Sequence, residues 1–211
     1  LAKIAKQKGW YPASDLISDT FNFDNLKKQY GCQNLLNGPA IIGKLGDIEV
    51  PSEWNEVFAR PVEDTKSFAG QVFSKKELTS FINTIVDINE ELLNKETLII
   101  VAPVQEIMAE YRLFVVDGEI IAGSLYRAFN KSKVLPIFTD NTFTHNEINQ
   151  EDACIKFAKN MLDIYQPAKA FVLDIAITLF GPKIIEVNNI NSSGFYASNI
   201  EAVVVALNKL K

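Results

Sequence analysis

Three side chains carrying hard oxygen donors, Asp174, Glu186 and Asn188, stand close together in sequence and could hold a divalent cation. They lie in the stretch AFVLDIAITLFGPKIIEVNNINSSGFY, Ala170 to Tyr196. The pattern predicts an apolar strand over Ala170–Thr178, a turn at Phe180-Gly181-Pro182 and a second apolar strand over Lys183–Val187, which together make a hairpin. Side chains two apart on a strand face the same way, so Glu186 and Asn188 share a face. An acid inside an apolar run is costly to bury unless it is paired or binds a metal. Magnesium is typically held by one or two carboxylates plus substrate phosphates, and an Asp, a Glu and an Asn supply donors of that kind. The competing reading is an edge strand whose acids face water. The Ile and Val residues flanking both acids weigh against it.

A second polar set lies upstream. Ala109–Val116 and Glu119–Arg127 read as strands joined by Asp117-Gly118, a dipeptide suited to a tight hairpin turn. Tyr111, Leu113 and Val115 then point to one face, and Glu110, Arg112, Phe114 and Val116 to the other. Glu110 and Arg112 therefore share a face, and Arg127 ends the partner strand where it can lie near them. Further upstream, Glu56–Pro61 reads as a strand. It is followed by the polar loop VEDTKSFAG, Val62 to Gly70, and by a strand over Gln71–Phe73. Arg60 stands at the entrance of this loop and Lys66 near its tip. Such a loop can fold over phosphates, with backbone amides and a lysine supplying positive potential. It lacks the glycine density of a phosphate-binding loop, so an exposed charged loop explains it equally well.

Composition narrows the chemistry. The 211 residues are 47% hydrophobic and 22% charged, with a net charge of −5. That is ordinary for a globular chain and argues against a general nucleic-acid surface. The sequence shows no apolar run of bilayer-spanning length and no signal peptide, so no membrane role and a cytoplasmic setting are expected. The chain starts at Leu1 rather than Met and reads as a fragment or a trimmed chain. Cys32 and Cys154 are far apart without metal spacing and read as two free thiols. His145 is the only histidine, which leaves little room for a histidine-based triad.

The elements that must position these residues follow in order. Residues 1–38 mix short helical pieces with aromatics, including a helix over Asp24–Tyr30 that ends at Gly31. Pro39–Gly43 reads as a short strand followed by Lys44, an exposed lysine or a phosphate contact. Ser74–Leu93 has apolar residues at helical spacing, with Ser74 and Glu77 as a capping box. Thr97–Val101 is a buried strand leading into Gln105-Glu106-Ile107. Ala128–Gln150 reads as a long polar loop. Glu151–Tyr165 and Ala197–Leu210 read as helices.

Three separated motifs then occur in a recognisable order: FARPVEDTKSFAG, VQEIMAEYRLFVVDGEIIAGSLYR and FVLDIAITLFGPKIIEVNNINSSGFY. In that order the chain resembles the ATP-grasp superfamily of nucleotide-dependent ligases over Ile41 to Lys211. Within it the chain resembles the R-two-K clade, phage or bacterial proteins named for an arginine and lysines. That clade is related to the eukaryotic ATP-grasp factor that assembles a translation initiation complex. The resemblance implies an α+β fold: two α+β lobes with mostly antiparallel sheets clasping ATP. It implies an N-terminal lobe over 39–104 and a C-terminal lobe with the metal site over 105–211. Residues 1–38 are then a packing segment or part of a preceding domain.

The resemblance also implies roles. Arg60 stands where many members have a Lys-Pro strand end at the α-phosphate. Lys66 lies in the loop closing over the β- and γ-phosphates. Gln105, Glu106 and Ile107 match the hinge that meets adenine, and Glu110 matches the acid on the ribose hydroxyls. Asp174, Glu186 and Asn188 match the Mg²⁺ set. Arg112 and Arg127 match arginines facing the transferred phosphate or the acyl substrate. The expected activity is an ATP- and Mg²⁺-dependent carboxylate–amine ligation through an acyl phosphate, on a small amino compound, a peptide or a protein. The alternatives are an ATP-binding assembly factor or modifier acting on a protein partner, and a phosphotransferase.

Overall fold

Two antiparallel sheets carry the chain. The structure is a computed structural model that describes residues 19–62, 68–88, 93–128, 131–137 and 145–210. Helix α1 (Phe23–Tyr30) comes first, followed by strands β1 (Ile41–Lys44), β2 (Glu56–Pro61) and β3 (Gln71–Ser74). Helix α2 (Lys75–Ile88) leads to β4 (Leu98–Pro103), β5 (Ile107–Val116), β6 (Glu119–Ala128) and β7 (Lys131–Pro136). Helix α3 (His145–Ile164), strands β8 (Ala170–Thr178) and β9 (Gly181–Asn188) and helix α4 (Ile200–Leu207) complete the order. The chain divides into two compact units, one of Asn37–Gln105 and one of Leu1–Leu36 with Glu106–Lys211. Of Gln105, Glu106 and Ile107, the first closes one unit, while the other two open the second segment of the other.

The unit Asn37–Gln105 has a four-stranded sheet in the order β1-β4-β2-β3. Its core is Leu45, Val57, Ala59, Phe73, Leu78, Ile99 and Val101, with Phe81, Ile82 and Ile85 of α2 packed against it. The apolar stripe of α2 thus covers the sheet. The capping box forms as the sequence requires: Ser74 N donates to Glu77 Oε2 at 2.8 Å and Glu77 N donates to Ser74 Oγ at 3.2 Å. Loss of the Ser74 hydroxyl frees an end-of-helix N–H, so Ser74→Ala is predicted to cost about 1 kcal/mol in urea unfolding. Lys44 ends β1 and pairs with exposed Glu96 at 2.6 Å.

The other unit has a five-stranded sheet in the order β7-β6-β5-β8-β9. One face packs Tyr111, Leu113, Val115, Phe171, Leu173 and Ile175 against Leu26 and Tyr30 of α1 and against Cys154, Ala158 and Met161 of α3. The opposite face packs Phe114, Val116, Ala122, Ala170 and Val172 against Val203 of α4. The two faces of β5 therefore divide as its alternation predicts. Asp117 and Gly118 form the two-residue turn, with φ of 52° and 81°. Residues 32–36 run beside β9: Leu35 bridges Ile184 in parallel, Leu36 N donates to Ile184 O at 2.8 Å, and the Lys183 ammonium donates to the Gln33 carbonyl.

Two expectations are corrected. The β8–β9 turn is Leu179-Phe180, because Thr178 pairs with Gly181, and both Gly181 and Pro182 belong to β9. Pro182 is tolerated there because β9 is an edge strand, where a missing N–H breaks no ladder. The Ala128–Gln150 stretch is not one long loop. It contains β7, and α3 begins at His145. The first turns of α3 are polar, so periodicity shows only from Cys154 onward, where Cys154, Ala158, Met161 and Leu162 are buried.

Candidate functional site

A polar row crosses the five-stranded sheet on the Phe114 face. The register pairs Ser124 with Arg112, Arg112 with Asp174, and Asp174 with Glu186 across β6, β5, β8 and β9. Strand pairing alone thus places four chemistry-bearing side chains side by side. Asn188 follows Glu186 on the same face, and its Nδ2 donates to Glu186 Oε1 at 2.7 Å.

Asp174 is 1% exposed and is held at both oxygens by Arg112. Arg112 Nε donates to Oδ1 at 2.8 Å and Nη2 donates to Oδ2 at 2.6 Å. This fork is the pairing that an acid in an apolar strand needs. Burial pushes the Asp174 carboxyl up to about 6, the Arg112 bonds and charge pull it down, and the nearby Glu186 carboxylate adds to the rise. The Arg112 fork favours the charged carboxylate against that burial. The same fork pushes the guanidinium up, against its burial. Glu186 is exposed on the edge strand. The water-facing alternative thus describes Glu186, whereas Asp174 is enclosed.

Glu110 and Arg127 are register partners on the same face, and Arg127 Nη1 donates to Glu110 Oε1 at 2.9 Å. Strict alternation from Ser124 would place Tyr126 on this face and Arg127 on the other. A bulge changes that. Glu110 pairs with Arg127 and Tyr111 with Leu125, which leaves Tyr126 as the extra residue, and the β6–β7 ladder slips at the same place. Two consecutive side chains, Tyr126 and Arg127, are thereby aimed at one face. Burial first, then the Asp174 and Glu110 carboxylates, holds the Tyr126 phenol well above its ordinary range.

Beyond β9, the segment Gly194–Ala197 lies on this polar row. Arg112 Nη1 donates to Gly194 O at 3.2 Å. Phe195 stacks on Phe114 with centroids 4.8 Å apart. Tyr196 stacks on Tyr126, also at 4.8 Å. Ala197 N donates to Ser124 Oγ at 3.4 Å. The Arg112 guanidinium carbon lies 5.6 Å from the Tyr126 centroid and 5.1 Å from that of Tyr196. Tyr196 adopts φ of 50°, in the left-handed region that a tyrosine rarely occupies.

The structure thus brings Glu110, Arg112, Arg127, Asp174, Glu186 and Asn188 to one sheet face. Arg60 and Gln105 belong to the other unit, where Arg60 Nη1 donates to Pro61 O at 3.2 Å. Lys66 lies outside the described residues. Sequence reading missed Ser124, Tyr126 and Tyr196. The bulge that aims Tyr126 leaves no local mark, although SGFY after the second strand sets two aromatics directly after a glycine.

Among the described residues no three His, Cys, Asp or Glu side chains converge as a metal site. The donors that do meet are two carboxylates and an amide. The Asn188–Glu186 bond leaves the Asn188 amide oxygen and Glu186 Oε2 as acceptors, and each Asp174 oxygen can accept a second bond. This oxygen-only set fits Mg²⁺, whose remaining ligands are ordinarily water and phosphate.

Comparison with solved structures finds the same fold at low identity. D-alanine–D-alanine ligase from Bacillus anthracis superposes with a TM-score of 0.57 at 11% identity, covering 89% of this chain and 67% of that one. The L-amino acid ligase from Bacillus licheniformis gives 0.51 at 16% identity, with 92% of this chain and 47% of that one covered. The ATP-grasp ligase PsnB, solved with a minimal precursor, gives 0.51 at 14%, covering 90% and 61%. The chain therefore spans 47–67% of the length of these relatives. No curated protein matches it. Residues 39–206 match the ATP-grasp domain of the R-two-K clade, family 2, and the chain belongs to that family.

Proposed function

We propose that the chain is an ATP- and Mg²⁺-dependent carboxylate–amine ligase acting through an acyl phosphate. The observation that carries the reading is the row of Arg112, Asp174 and Glu186, extended by Asn188, on one face of the sheet. Family membership supports ATP as the nucleotide, and the solved relatives named above are ligases. In this reading Glu186, Asn188 and Asp174 hold the magnesium, which when bound offsets the charge of the ATP phosphates. Arg60 and Lys66 meet the phosphates, Gln105, Glu106 and Ile107 the adenine, and Glu110 the ribose. The setting is cytoplasmic, where ATP is supplied.

The reaction asks a carboxylate to attack a phosphate, so two anions must approach. Arg127 suits the stabilising role: its side chain is 48% exposed, while its Nη1 bond to Glu110 fixes its orientation. Attack at the γ-phosphorus breaks its bond to ADP and gives the acyl phosphate. The amine nitrogen then bonds to the acyl carbon, phosphate leaves, and the amine proton passes to solvent. No enzyme nucleophile is required. PsnB was solved with a minimal precursor bound, and a peptide or protein acceptor is proposed here by that likeness.

The test is release of ADP and phosphate with matched carboxylates and amines, including peptides. The expected result is turnover that needs both partners. Turnover with a hydroxyl acceptor and a phosphorylated product would make the protein a phosphotransferase. Turnover only with a protein partner and no new covalent bond would make it an assembly factor.

A further inference from the structure

We infer that Arg112 is a positioning residue that ties the strap Gly194–Ala197 to Asp174, so that the strap and this carboxylate are placed together. The inference rests on the proposed role of Asp174 at the magnesium site. Its geometric half stands apart from that role.

Four consecutive strap residues are each held by a side chain from β5 or β6. Arg112 takes the Gly194 carbonyl, Phe114 stacks on Phe195, Tyr126 stacks on Tyr196, and Ser124 accepts the Ala197 amide. Of these four anchors, Arg112 alone also forks onto Asp174. The bonds from its Nε, Nη1 and Nη2 all go to the protein. A group so enclosed is poorly placed to follow a moving substrate and well placed to hold two pieces of backbone in one geometry. The bulge serves the same end, because it aims Tyr126 onto the strap while Arg127 still reaches Glu110. Tyr196 keeps a left-handed backbone, and a structure holds such strain only where its surroundings over-determine it.

Arg112→Lys keeps a cation beside buried Asp174 but cannot make the fork and the Gly194 bond together. Hydrogen exchange without nucleotide should show strap amides opening about tenfold faster, the equivalent of one charge-assisted bond lost, with Leu113 and Leu173 unchanged. In titrations with a non-hydrolysable ATP analogue, the Mg²⁺ midpoint should rise about tenfold while adenosine affinity stays constant. Tyr196→Ala is the independent arm. It loosens the strap without removing an Asp174 bond, and should also raise the Mg²⁺ midpoint severalfold.

Unchanged strap exchange in Arg112→Lys, or exchange rising equally through β5 and β8, overturns the tie. So does a Tyr196→Ala protein with a loosened strap and an unmoved Mg²⁺ midpoint. Wild type without Mg²⁺-dependent binding would remove the functional reading alone, and the exchange comparison would then decide the tie.

Discussion

Asp174→Ala is expected to lower stability by about 3–5 kcal/mol, because it leaves the Arg112 cation buried without its anion. The side chains are 10% exposed at Arg112 and 1% at Asp174, so water cannot restore what the fork supplied. The loss should appear as a lower urea midpoint at unchanged slope. Arg112→Met with Asp174→Leu should recover most of it, since replacing a buried pair by apolar groups of similar volume is commonly neutral or better. A single variant as stable as wild type would mean that the pair is solvated. The double variant should nevertheless have lost its Mg²⁺ response, which separates the structural use of this aspartate from its proposed use toward the metal.

Glu186→Gln is the opposite case. Glu186 is exposed on an edge strand and its bond to Asn188 is local, so stability should change by less than about 0.5 kcal/mol. The effect should fall on the ligand. With the ATP analogue at a hundred times its dissociation constant, wild type should gain about 2.7 kcal/mol when Mg²⁺ is present. The variant should lose most of the Mg²⁺-dependent part of that gain in thermal-shift titrations. A full response would remove Glu186 from the metal set. A large fall in melting temperature without ligand would mean that its role is structural.

The parts of the site visible in the sequence are those governed by alternation. Asp174 stands out as an acid within an apolar strand. Glu110 and Arg112 share a face by parity, and Glu186 and Asn188 do so for the same reason. The capping box at Ser74 and the Asp117-Gly118 turn are local chemistry and form as read. What stayed hidden depends on pairing between strands distant in sequence. That Asp174 meets Arg112 is a fact of β5–β8 register. That Tyr126 joins Arg127 on one face needs a bulge that parity forbids. The Gly-Pro at 181–182 looks like a turn until β9 is known to be an edge. The strand β7 and the polar start of α3 carry too few apolar residues to announce themselves.

The parallel contact of residues 32–36 with β9 has a consequence for how the chain is made. The Lys183 bond to Gln33 joins positions 150 apart in sequence, and the residues between them include all of Asn37–Gln105. On a ribosome that middle unit has its strand partners within its own span and can fold as soon as it emerges. Leu26, Tyr30 and Leu35 emerge earlier, yet their packing partners in α3 and β9 are synthesised only after that whole unit. The face of α1 that carries Leu26 and Tyr30 therefore spends the interval without its α3 and β9 partners, the condition under which a nascent segment recruits a chaperone or a wrong partner.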